Sequence, residues 1–194
     1  MELKAELRKR LRAERRAHVA ALDPRVRALV MMRPPGPLLT LIPQGARIGL
    51  YVNGPDETPT GGYARFLHEA GHTIAMPWFA GRDAAMTFRR WESPHLAELL
   101  EQGPFCAQPM ADAEEIVPDV LFVPLVGFTA QGARLGQGGG HYDRWLEAHP
   151  NVPAIGMAWD CQLVDSVPHE AHDRPLAAVV TPTRLYGPFE GSLS

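Results

Sequence analysis

Between Glu2 and Leu22 the apolar residues Leu3, Leu7, Leu11, Val19 and Leu22 fall at helical spacing, and nothing interrupts them before Asp23-Pro24. The pattern predicts an amphipathic helix with one dry stripe. The period then changes. Apolar runs at 47–52 (RIGLYV), 72–76 (HTIAM, stopped by Pro77), 120–128 (VLFVPLVGF), 153–159 (PAIGMAW) and 176–181 (LAAVVT) are short, continuous and bounded by turn residues, which reads as buried strands. Helical segments separate them: residues 62–70 with Thr58 or Thr60 as N-cap, a short helix from Ser93-Pro94 to about Gln102, and one beginning near His141. RPPGP at 33–37 is a connector, 103–118 reads as loop, and the tail after Pro182 as peripheral. Continuously apolar strands alternating with helices predict an α/β fold: a single Rossmann-like domain over 1–194, its largely parallel sheet flanked by helices on both faces.

Composition narrows the setting without naming a chemistry. An apolar content of 45%, a charged content of 21% and a net charge of −3 suit a globular protein with no global pull toward nucleic acid or anionic membrane. Cys106 and Cys161 lack metal-ligand spacing, and the charged start MELKAELRKR does not turn apolar as a signal peptide would. No apolar run approaches the roughly 20 residues of a membrane helix. The expectation is a cytoplasmic protein with free thiols, a monomer, not bound to membrane.

The chemistry concentrates after the 120–128 run. A loop with five glycines (Gly132, Gly136, Gly138, Gly139, Gly140) leads into the helix at His141. Strand, flexible turn and helix N-terminus in that order aim backbone N–H groups and a positive dipole end at one point, which suits phosphate. There is no Gly-Lys pair for a Walker A loop, and His141 stands where a dinucleotide fingerprint needs its third glycine. A glycine cluster alone reads equally well as a flexible turn. Arg134 among the glycines, with Tyr142-Asp143-Arg144 on the first helical turn, favours a phosphate cradle with its own cation and a carboxylate able to hold a metal.

Elsewhere the signals are single. Seven basic residues decorate the first helix, most of them read as a solvated face, but Lys4 and Arg8 stand at i and i+4 beside the leucine stripe, within reach of a polyphosphate at that seam. Glu57 follows the first strand, at the sheet edge where α/β folds bind ligands; a solvated loop carboxylate fits as well. Met86, Phe88 and Trp91 read as core, or as the apolar wall of a pocket. His141, His169 and His172 match no familiar zinc spacing. Asp173 is an ordinary turn residue unless sheet order brings it beside Asp143, where two carboxylates would share one Mg²⁺.

GARLGQGGGHYDRWL resembles the nucleotide-binding signature of the 5-formyltetrahydrofolate cyclo-ligase family, also called 5,10-methenyltetrahydrofolate synthetases, written G-x-R-L-G-x-G-x-G-x-Y-D. Lys4-x-x-x-Arg8, Glu57-x-x-Thr60, Pro77 with Met86-x-Phe88, and IGMAWDCQLVDSVPHEAHDRPLAAVVT follow in family order, so the resemblance covers nearly the whole chain. It implies ATP- and Mg²⁺-dependent conversion of 5-formyltetrahydrofolate, polyglutamylated or not, to 5,10-methenyltetrahydrofolate. In the mechanism this implies, the formyl oxygen attacks the γ-phosphate to give an N5-iminium phosphate; N10 then attacks the activated carbon, and phosphate leaves as the ring closes. It further implies an ATP site of Lys4, Arg8, Arg134, Leu135, Gly136, Gln137, Gly138, Gly139, Gly140, His141 and Tyr142. Arg134, Tyr142 and Asp143 would be catalytic, Asp143 and Asp173 the Mg²⁺ ligands, and Glu57, Met86, Trp91 and Tyr142 the folate contacts, Trp91 by proximity in sequence alone. The chain departs from the family pattern at Gln108 (Glu in many members), Thr129 (Asp), Gln137 (aromatic or basic) and His141 (Tyr). Two other readings compete: a nucleotide- or RNA-binding module using the basic first helix, and another α/β enzyme such as a sugar-phosphate isomerase.

Overall fold

The computed structural model describes residues 4–168 and 174–189, with the Ala97 side chain left out. The leading helix α1 (Lys4–Ala21) buries Leu7, Leu11, Arg15 and Val19, an i, i+4 ladder in which an arginine occupies one rung. Short helices α2 (Pro24–Leu29) and α3 (Gly36–Leu39) lead to β1 (Arg47–Gly49). Then follow α4 (Gly61–Glu69), β2 (Thr73–Trp78), β3 (Thr87–Arg90), the hairpin β4 (Leu100–Gln102) and β5 (Ala107–Pro109), and β6 (Val120–Pro124). A two-stranded unit, β7 (Gly127–Phe128) and β8 (Arg134–Leu135), precedes α5 (His141–Ala148), and β9 (Ala154–Met157), β10 (Ala178–Val180) and β11 (Leu185–Tyr186) complete the chain.

The main sheet runs β11-β10-β9-β6-β1-β2-β3. The five inner strands are parallel, and β11 and β3 are antiparallel edges. Alternate residues point to opposite faces, and both faces are dry. Ile48, Ile74, Met76, Val120, Phe122, Ile155 and Val180 meet Tyr63 and Leu67 of α4 on one side. Ala75, Leu121, Val123, Ala154 and Val179 meet Trp145 and Leu146 of α5 on the other. Burial on both faces is why these segments read as unbroken apolar runs. A smaller cluster of Leu7, Leu11, Val126 and Leu135 seats α1 on the β7–β8 unit. Among the described residues no helix is long and apolar enough to cross a membrane.

Five expectations change: the 103–118 segment read as loop contains β5, the tail read as peripheral adds β11 to the main sheet, and three further segments differ. The 120–128 run is two strands: β6 ends at Pro124, and Gly127 begins a separate ribbon whose hydrogen bonds go to β8. Residues 93–102 form one 3₁₀ turn (Ala97–Leu99) and then β4, because pairing with β5 satisfies more backbone than an isolated short helix would. β2 runs through Pro77 to Trp78, since β1 pairs with it only as far as Ala75 and the missing N–H costs no ladder bond there.

Tight packing at the α4 start offers a test. A Cβ on Gly62 would stand 2.4 Å from the Met31 carbonyl oxygen, a backbone atom. Gly62→Ala is expected to destabilise by about 2 kcal/mol in urea unfolding, as over-packing does.

Candidate functional site

The chain leaves β1 toward β2 and leaves β6 toward β9, so the connections diverge between β1 and β6 and open a crevice at their C-terminal ends. A cavity of about 230 Å³ occupies it. Its walls come from Tyr51, Val52 and Glu57 after β1, Pro77 and Phe79 after β2, Met86, Phe105 and Cys106, Val123 and Pro124 of β6, and the loop from Arg134 through Gly136–Gly140 to His141, Tyr142 and Asp143.

The loop takes the shape its glycines permit. Gly138 (φ +99°) and Gly140 (φ +67°) lie in the left-handed region, and Gly140 is the N-cap of α5. Arg134 forms an ion pair with Asp143 across the turn; its side chain is almost wholly buried, and Nη1 has no hydrogen-bond partner. A buried guanidinium with an unused N–H is equipped to take an anion's oxygen.

Helix α1 supplies further cations. Arg8 Nε donates to the Gly136 carbonyl at 2.9 Å, and Arg12 Nη2 donates to the Gln137 carbonyl at 2.5 Å and to Gln137 Oε1 at 3.3 Å. Arg15, the rung in the apolar stripe, donates to the Leu125 carbonyl at 3.2 Å and lies 4.0 Å from Glu57 Oε1. Burial, then the neighbouring Arg15, Arg8 and Arg16, push the Arg12 guanidinium below its ordinary value, with Glu57 opposing them. Crowded like charge of that kind is relieved by a bound anion.

Across the cavity Glu57 accepts from Gly54 N at 2.7 Å and from Gln137 Nε2 at 2.5 Å. Its loop is clamped by Tyr51, whose hydroxyl donates to the Thr58 carbonyl at 2.7 Å, and by Thr60, whose hydroxyl donates to the Tyr51 carbonyl at 2.9 Å. Thr60 is the N-cap position of α4, but its side chain serves this clamp and not the helix. Burial first, and Glu57 second, raise the Tyr51 and Tyr142 phenols well above their ordinary value and raise the Cys106 thiol. These groups are neutral hydrogen-bonding walls, not nucleophiles.

Phe79, Phe105 and His141 form an aromatic corner, with ring centroids 4.8 to 5.1 Å apart. Gln108 holds it in place: buried, its amide accepts from Phe79 N at 3.2 Å and donates to Phe79 O at 3.3 Å, extending β2 by one false strand residue. A carboxylate could accept only, so glutamine at this departure from the family pattern has a positive structural reason.

The structure thus brings together Arg134, Gly136, Gln137, Gly138, Gly139, Gly140, His141, Tyr142, Asp143, Glu57 and Met86. Arg8 braces the loop from behind, with Lys4 one turn before it on α1. Leu135 is not a wall of the cavity; it is buried against Leu7 and Leu11. Trp91 is not brought there either. Because β3 runs antiparallel to β2, the chain moves away from the cavity as it approaches Trp91, whose N–H bonds the Ile74 carbonyl at the far end of the sheet. Asp173, His169 and His172 lie outside the described residues. Among the described residues no group of three or more His, Cys, Asp or Glu side chains is arranged to hold a metal. Sequence reading missed Arg12, Arg15 and the Phe79–Phe105 corner. Only Arg15 left a signal, as the one charge on the Leu7–Leu11–Val19 stripe.

Two outcomes follow from this geometry. Gln108→Leu strands the Phe79 N–H and carbonyl and is expected to cost about 2 kcal/mol in chemical unfolding. Burial, and after it Arg144, hold His141 below its ordinary value of 6.5, so the unfolded chain takes this proton first as pH falls. The stability contributed by neutral His141 is therefore present above pH 6.5 and lost below it. Urea midpoints of His141→Phe are expected to fall less on acidification than those of the unaltered protein.

The sequence model of the 5-formyltetrahydrofolate cyclo-ligase family matches residues 1–182. A 5-formyltetrahydrofolate cyclo-ligase of Escherichia coli K12 is 46% identical over 85 residues, 41% of this chain and 47% of that protein, so the match spans about half of that relative's length. The mouse 5-formyltetrahydrofolate cyclo-ligase is 24% identical over 190 residues, covering 92% of this chain and 91% of its own. The solved 5,10-methenyltetrahydrofolate synthetase of Aquifex aeolicus superposes with a TM-score of 0.66 at 23% identity, over 98% of this chain and 95% of its own, and so shares the fold. With the family model spanning all but the last residues, the chain belongs to the 5-formyltetrahydrofolate cyclo-ligase family.

Proposed function

We propose that the protein closes 5-formyltetrahydrofolate to 5,10-methenyltetrahydrofolate at the expense of ATP, releasing ADP and phosphate. One observation carries the reading: a glycine loop with a buried, incompletely bonded arginine faces a carboxylate across a single cavity. The loop, Arg134, Arg8 and Lys4 suit a triphosphate; Glu57 suits the N–H donors of a pterin's amino-pyrimidine edge, with Met86, Phe79 and Phe105 as apolar walls. An amide oxygen is a poor leaving group. Transfer of the γ-phosphoryl group to the formyl oxygen, with ADP leaving, makes it a phosphate; N10 then attacks the formyl carbon, and inorganic phosphate departs as the ring closes. Phosphoryl transfer requires positioning and charge neutralisation, which the loop N–H groups and arginines provide.

A magnesium ion fits this site as it fits many nucleotide sites, on one carboxylate plus phosphate oxygens. Asp143, partly exposed at the start of α5, would hold it, with Asp173 as a proposed second ligand; its contribution is added positive charge at the phosphates. In the pairing with Asp143, Arg134 keeps that carboxylate neutralised before a metal arrives. We also read residues 1–194 as one domain, acting as a cytoplasmic monomer on free or polyglutamylated folate. The RNA-binding alternative loses support because Arg8, Arg12 and Arg15 turn inward onto the loop and the core.

The test is formation of the near-ultraviolet-absorbing methenyl product from 5-formyltetrahydrofolate, with ATP and Mg²⁺ each omitted in turn. Product is expected only with all three, and its absence in a protein that binds ATP would overturn the reading. Arg134→Gln is expected to lower kcat by about 10²-fold or more with the fold intact, the usual effect of losing one charge-stabilising donor.

A further inference from the structure

The loop and the Glu57 carboxylate are not independent. Gln137 is the one loop side chain that crosses the cavity: Arg12 holds its backbone carbonyl at 2.5 Å and its Oε1 at 3.3 Å, while its Nε2 donates to Glu57 Oε1 at 2.5 Å. Glu57 Oε2 is taken by Gly54 N at 2.7 Å. The neutral amide thus bridges a cation and an anion, and both Glu57 oxygens are occupied. A carboxamide N–H is the same kind of donor as the amino group of an amino-pyrimidine.

We propose that Gln137 is a gate on Glu57: its side-chain amide stands where the substrate's amino-pyrimidine edge must bind and swings aside to admit it. This rests on the reading of Glu57 as the folate contact. Glu57 is largely buried, and apart from Gln137 and Gly54 its nearest partner is Arg15 at 4.0 Å, so the amide satisfies a charge that would otherwise stand under-bonded in the empty site. Arg12 anchors the backbone at Gln137 and the bridge to Glu57 is a second tie, so the motion is a swing of the side chain that loosens the glycine loop without displacing it. Gln137 is on this account a specificity-determining residue: it sets a threshold that only a ligand with better-placed donors than its own amide overcomes. A ligand that binds the loop and draws the Gln137 amide or Arg12 toward its phosphates also frees Glu57, so nucleotide and folate bind cooperatively through one side chain.

The experiment uses the full chain. Calorimetric titration with 5-formyltetrahydrofolate, without nucleotide, is compared for the unaltered protein, Gln137→Ala and Gln137→Met, the last keeping the length but not the donor. Both variants are expected to bind about three- to tenfold more tightly, the size of one ordinary net hydrogen bond. A merely structural or directly ligand-binding Gln137 predicts equal or weaker binding, and that result overturns the gate. Hydrogen exchange of the 136–140 amides provides a reading free of folate: Gln137→Ala and Glu57→Ala should each accelerate it. No acceleration in either variant means that the bridge does not hold the loop, and the proposal falls. Acceleration in a protein that binds no 5-formyltetrahydrofolate at all would instead refute the ring-closure reading while leaving the Gln137–Glu57 bridge standing.

Discussion

Leu7 and Leu11 of α1 close over Val126 and Leu135 of the β7–β8 ribbon, and the geometry of the cavity depends on that apolar contact. Each leucine so buried contributes about 1.5–3 kcal/mol, enough to seat the helix. The fit is close: a Cβ on Gly127 would stand 2.6 Å from Leu11 Cδ1. Because helical side chains four apart share a face, seating the leucines also seats the arginines beside them. Arg8 thereby reaches a loop carbonyl 128 positions along the chain.

Arg15 shows what the arrangement costs and what it gains. A buried guanidinium is expensive unless its N–H groups find partners; here Nη1 donates to the Leu125 carbonyl and lies 4.0 Å from Glu57 Oε1, while the buried Nε has no hydrogen-bond partner. The Leu125 carbonyl also accepts from Gln162 at 2.6 Å, so the point where β6 turns into β7 is fastened from α1 and from the segment after β9. Leu125 directly follows β6, so both ties lie beside the crevice between β1 and β6. Charge then runs across it in sequence, from Arg12 through Gln137 to Glu57, while Arg134 and Asp143 neutralise each other at the other end. The charges that face the cavity are thus paired with one another.

Much of the fold was legible because its rules are local. Parallel strands buried on both faces leave continuous apolar runs, and all five inner strands were found that way; the α5 start was marked by glycine. The edge strands β3 and β11 were not, since four residues of mixed polarity in one and two in the other carry no period. At the site, the loop residues Arg134 to Asp143 were visible as a pattern. Phe79 and Phe105 were not, because each is an ordinary aromatic until β2, the 103–106 turn and α5 bring their rings within 5.1 Å of His141. Trp91 was misplaced for the converse reason: nearness in sequence to Met86 means little when the strand between them runs away from the cavity.

By itself the sequence determined the α/β class, the glycine loop with its arginine, and the family, since these rest on periodicity and on residue types at fixed spacing. The tertiary structure decided which charges meet. Arg12, Gln137 and Glu57 lie on a helix, a loop and a strand end that share no local signal, and their contact is set by how α1 seats on the β7–β8 ribbon. Hydrogen bonds reach about 3 Å, so a partner across the fold is chosen by packing to within that distance, which no local pattern encodes.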